Sequence, residues 1–199
     1  MSSWRIVASA SLVCSLLIAA SAHAATEAPR VSGSCSIEFL GTSTLHDFEG
    51  TAPCAVLTIE SPDASGRYGA RAEVAVTAMK TGISARDKRM REMFDAKRFP
   101  TIVAAFSNVD PAALRVQKAL PFRITIHGRE RQATAVIERF SETDGREAHI
   151  VASFDLSLKD FALEAPVAMG FIRVGDLVKV TVSVDLKALP AGSAAPSAR

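Results

Sequence analysis

The sequence predicts an all-β protein, a single antiparallel barrel with one short helix. Three observations carry this. Apolar and polar residues alternate with period two in widely separated segments. Turn-forming residues separate those segments, and only one stretch has helical spacing. The clearest alternation puts Leu120, Phe122, Ile124 and Ile126 on one face against Pro121, Arg123, Thr125 and His127. It recurs with Ile150, Ala152, Phe154, Leu156 and Leu158, and again with Val178, Val180, Val182, Val184 and Leu186. One wet face per strand marks an antiparallel sheet, because the strands of a parallel α/β sheet are covered on both faces.

The elements follow in chain order. Residues 1–24 are predicted to be a secretory signal: Arg5, an apolar run from Ile6 to Ala20, then Ala22-His23-Ala24 before cleavage at Ala24/Ala25. The address is therefore the periplasm or the outside of the cell. Residues 25–33 read as a polar leader. Weaker alternation runs through Ser36–Thr42, Cys54–Glu60, Arg71–Met79, Ile102–Ser107 and Gln132–Phe140. Ser61-Pro62-Asp63, Asp110-Pro111, His127-Gly128 and Asp144-Gly145 are the turn signals. Ser84 is placed to cap a helix running to Asp95, with Asp87 three residues on and Met90, Met93 and Phe94 on one side. Residues 34–188 form the barrel, and 189–199 are a small, polar tail expected to be disordered. At least eight strands in one domain raise the problem of unpaired edges, which closing a barrel removes.

Composition excludes some functions. The 199 residues are 48% hydrophobic and 22% charged, with a formal charge of +2. A balance so near zero gives no reason to expect a nucleic-acid partner. One Trp and one Tyr among ten Phe argue against an aromatic cage. No metal site is expected, because two cysteines and scattered histidines lack short paired spacing. With Cys14 in the signal, Cys35 and Cys54 remain. A disulfide between them is the simplest expectation in an oxidising compartment, and two buried free thiols are the alternative. Neighbouring residues on an extended chain point to opposite faces, so Asp47 cannot readily orient His46 as a base for Ser43. No nucleophile elbow is present, and no catalytic residue is expected. Side chains of His46 and Asp47 are instead expected to close a turn.

The apolar faces supply a candidate binding surface: Phe39, Phe122, Ile124, Ile126, Phe154, Leu156, Val180 and Val182. A packed core is the alternative reading. The mouth of such a barrel is expected near the helix and the loop around Ala165-Pro166. Basic residues on the helix allow contact with a membrane surface, and a homodimer stays open.

Four blocks in order resemble the YceI-like family. The first runs from Ser36-Ile37-Glu38-Phe39 to Ser43-Thr44-Leu45-His46-Asp47-Phe48-Glu49-Gly50. The second joins Met79-Lys80-Thr81-Gly82, Arg86-Asp87, Met93-Phe94-Asp95 and Phe99-Pro100-Thr101-Ile102. Phe122 to Gly128 is the third; Ser153 to Phe161 with Val174 to Val180 is the last. Ala162 stands where that family commonly has Gly. The resemblance implies a lipocalin-like barrel, exported to the periplasm, whose interior holds a polyisoprenoid or isoprenoid-quinone-like chain. It implies no catalysis and no cofactor. The function so implied is carriage or storage of that amphiphile. A filled barrel serving as a structural or interaction module of the envelope, in stress response or adhesion, is the alternative.

Overall fold

A computed structural model describes residues 30–116, 118–165, 167–168 and 171–189. The predicted signal and most of the predicted tail lie outside these residues. Ten strands form one antiparallel sheet: β1 (Arg30–Ser43), β2 (Phe48–Pro53), β3 (Val56–Ile59), β4 (Tyr68–Ala75), β5 (Thr101–Val109), β6 (Ala119–Ile126), β7 (Arg129–Thr143), β8 (Glu147–Ser157), β9 (Val167–Ala168) and β10 (Ile172–Leu189). Among the described residues the one α-helix, α1, spans Ser84–Met93. The strand order is β2-β1-β10-β8-β7-β6-β5-β4-β3, with β9 paired to β10.

The two ends of that order, β2 and β3, are consecutive in the chain. Cys54 N–H donates to the Cys35 carbonyl on β1, whereas Ala55 N–H donates to the Glu73 carbonyl on β4. Adjacent residues thus bond to opposite neighbours. The sheet curls into a barrel whose ring is closed by one strand changing partners. Of the predicted strand Cys54–Glu60, Val56–Ile59 is β3, while Cys54 and Ala55 form the switch that links it to β2, since periodicity shows faces but not partners.

Register keeps the apolar faces together. Val178, Val180, Val182, Val184 and Leu186 on β10 oppose Leu156, Phe154, Ala152, Ile150 and Ala148 on β8. Across β1, Phe39, Ile37 and Cys35 oppose Val180, Val182 and Val184. His127 and Gly128 both take positive φ, at 50° and 69°, which gives the two-residue turn between β6 and β7 the twist that a hairpin needs. Asp144 and Gly145 do the same between β7 and β8.

Three expected boundaries shift. Arg30–Gly33 pair with Leu186–Leu189, so the leader and the tail each give up residues to β1 and β10. The strand expected to reach Met79 ends at Ala75, and Val76–Ala78 form a 3-10 turn. Ser84 makes no capping bond; the N-cap position is Ile83. The Asp87 carboxylate reaches back instead to Thr81, accepting from its backbone N–H at 2.8 Å and its hydroxyl at 2.5 Å. Met90 and Phe94 pack into the core with Val76, Ile126, Leu158, Phe161 and Leu163, whereas Met93 is only partly buried.

Candidate binding cavity

A cavity of about 850 Å³ runs inside the barrel. This lies in the upper part of the roughly 300–1,000 Å³ typical of ligand pockets. Its wall is the inward face of the strands. The lining on β10 runs from Ile172 to Ala188. At about 3.3 Å per residue the wall is therefore long and narrow. A barrel of this size either fills with side chains or leaves room for a ligand. Here the inward positions Ala70, Ala72, Ala104, Ala148 and Ala152 are too small to meet across the interior. As a result Phe106, Ile150, Phe154, Val180 and Val182 face inward yet remain only partly buried.

Polar groups stand at the two ends. Near α1 the wall includes Ser43, His46, Thr81, Arg86 and Arg89 beside Ile83 and Ile172. Two backbone bonds between Thr51 and Lys80, each 2.8 Å, fasten the segment leading into α1 to β2. At the opposite end stand Arg115, Glu142, Arg146 and Glu147. Arg115 is ion-paired with Glu142, and Glu147 with Lys187 at 3.1 Å.

A family model for the YceI-like domain matches residues 21–186. The chain belongs to the YceI-like family. Its fold is similar to the crystal structure of BcnA from Burkholderia cenocepacia, at 14% identity and a TM-score of 0.58, covering 76% of this chain and 95% of that one. It is also similar to a polyisoprenoid-binding domain from Saccharophagus degradans implicated in plant cell wall breakdown. That match has 16% identity and a TM-score of 0.57, and covers 80% of this chain and all of the other. No curated protein matches the chain.

All eight residues singled out in the sequence of this YceI-like protein line the cavity. The structure does not divide them evenly. Phe39, Phe122, Ile124, Ile126 and Leu156 are also buried among neighbouring side chains, whereas Phe154, Val180 and Val182 border open space. Periodicity sorts inside from outside but not filled from hollow. The missed signal was the run of alanines at inward positions of β4, β5 and β8.

The turn after β1 differs from expectation. Its lock is Ser43, whose hydroxyl donates to the His46 carbonyl at 2.6 Å and accepts from the N–H groups of Leu45 and His46. His46 and Asp47 are both exposed. Cys35 and Cys54 are joined by a disulfide with Cα atoms 5.3 Å apart. Among the described residues there is no cluster of three or more metal-ligating side chains. No described helix is long and apolar enough to cross a membrane.

Two carboxylates fix the α1 end. The Thr81 hydroxyl, bonded to Asp87, holds that carboxyl below the usual carboxylate range against the opposing effect of burial. Ser157 acts similarly on Asp176, which also accepts the Lys159 N–H at 3.0 Å. That pins the 3-10 turn Lys159–Phe161, and Lys159 and Asp160 are exposed. The turn ends on Ala162 at φ 53°, the left-handed region. An L-residue there costs about 1–2 kcal/mol relative to ordinary backbone, which Gly avoids. Ala162→Gly is expected to raise stability by about 1 kcal/mol, or about 2–4 °C in melting temperature for a chain of this size. An unchanged melting temperature would count against the strain.

Proposed function

We propose that the protein is an exported binding protein that holds an isoprenoid lipid or quinone-like amphiphile inside the barrel for carriage or storage. The observation that carries this is the long apolar cavity, walled by partly buried Val, Ile and Phe side chains that a ligand would cover. Each methylene moved from water into such a wall is worth about 0.8 kcal/mol. A slim, flexible chain fits a narrow interior better than a ring system. The Saccharophagus degradans relative, described as polyisoprenoid-binding, points the same way. Export to the periplasm rests on the predicted signal and family membership.

The alternative, a filled barrel acting as a structural or interaction module, requires an interior without about 850 Å³ of lined space. The cavity favours the binding reading. To test it, delipidated protein is titrated with geranylgeraniol and with a ubiquinone and followed by native mass spectrometry. A one-to-one adduct is expected. Refusal of both ligands would favour the structural module.

A further inference from the structure

Cations stand at both ends of the cavity wall, Arg115 and Arg146 at the end far from α1, but the lining carboxylates stand only at that far end. At the α1 end the charged side chains of the lining are Arg86 and Arg89, with His46 beside them and, among the described residues, no carboxylate. At the opposite end both lining carboxylates, Glu142 and Glu147, are ion-paired. Arg86 is half-buried, and its guanidinium lies over the Phe48 ring, 4.7 Å from the centroid. Its Nη2 donates to the Thr81 carbonyl at 2.7 Å, while its Nε is buried with no hydrogen-bond partner. The neighbouring acid, Asp87, is occupied by Thr81. Asp47 and Glu49 line an outer crevice with Arg86, but among the described residues neither is within ion-pairing distance of it.

A half-buried guanidinium on the wall of an apolar cavity, with no carboxylate paired to it, is costly when uncompensated and is satisfied by an anion. Guanidinium groups match the oxygens of a phosphate or carboxylate with several charge-assisted bonds. Arg89, three residues on along α1, brings a second cation to the same wall. A quinone ring accepts hydrogen bonds but carries no charge, and so would leave Arg86 uncompensated.

We propose that Arg86 and Arg89 hold the anionic headgroup of the bound amphiphile, a phosphate-type group on an isoprenoid chain whose tail lies in the barrel. This rests on the binding reading above. It orients the ligand, with its headgroup at the α1 end and its tail towards Arg146.

The test compares geranylgeranyl monophosphate with geranylgeraniol, which share a chain and differ in the headgroup, on delipidated full-length protein. The wild type is expected to bind the phosphate form at least about tenfold more tightly, one good charge-assisted contact. The double variant Arg86→Gln/Arg89→Gln should lose that preference and still bind the alcohol. Arg146→Gln at the far end should keep it. Because Arg86 also braces Thr81 and Phe48, Arg89→Gln alone is the check on folding; it should lose part of the preference at an unchanged melting temperature. Equal wild-type affinity for both ligands would overturn the headgroup site and leave the binding function standing. Loss of preference in Arg146→Gln would overturn it by placing the headgroup at the other end. Inorganic phosphate binding as tightly as the lipid phosphate would overturn it in favour of a free-anion site. If neither lipid binds, the binding function itself fails.

Discussion

Replacing Ala152 by Trp is expected to abolish loading of the barrel while leaving the fold intact. Ala152 lies on β8 between Val182 of β10 and Ile137 of β7, and its side chain faces the cavity. An indole there projects into the space a ligand chain would occupy. Displacing only four methylenes removes about 3 kcal/mol of burial, or roughly a hundredfold in affinity. In a filled core the same substitution would cost about 1–3 kcal/mol of stability through overpacking. Ala152 is only partly buried and borders free volume, so the fold should lose less. Lipid titration and a thermal melt on the same sample separate the two effects. Loading at the wild-type level by a folded variant would place the ligand outside this part of the interior.

The second large effect is on stability. Reducing the Cys35–Cys54 bond, or replacing both residues by Ser, is expected to cost about 3 kcal/mol from loop-closure entropy alone. The bridge spans 19 positions in sequence. It also sits at the point where the closing strand leaves β1 for β4, between the Cys54 and Ala55 hydrogen bonds. The stabilisation therefore falls where the ring is held by a single strand. A drop of roughly 6–12 °C in melting temperature follows for a chain of this length. An intact mass equal to the two-thiol form in protein from its native compartment would contradict the bridge.

How far the sequence could be read depended on what kind of information each feature needs. The strands β6, β8 and β10 were legible because period-two alternation is local, and the Cys35–Cys54 bridge followed from two cysteines left in an oxidising compartment. Partner choice is not local. Nothing at Cys54 or Ala55 announces that one bonds to β1 and the next to β4. The same holds for Arg30–Gly33, whose place in β1 depends on Leu186–Leu189 far along the chain. The helix was found, but its cap was misplaced. Ser84 matches the usual cap residue, yet the stabilising contact comes from Asp87 reaching back to Thr81.

At the site, the inward residues were legible and the cavity was not. Phe122 and Phe154 have the same place in their alternating patterns, yet one is buried and the other borders open space. Phe154 has the small inward residue Ala152 two positions along β8, and such alanines line the cavity in a direction known only once the barrel closes. In the sequence Arg86 is only one of several basic residues on the helix, with nothing to separate it from the others. Only the fold shows that Asp87 turns to Thr81 and leaves Arg86 on the cavity wall.

The central claim is that the interior is a lipid site. Native mass spectrometry of the protein purified from its own envelope, paired with an organic extract of the same sample, tests it most directly. The account predicts a stoichiometric adduct whose extracted component is an isoprenoid. Apoprotein with no extractable lipid, which also takes up no added polyprenol, polyprenyl phosphate or quinone, would contradict it.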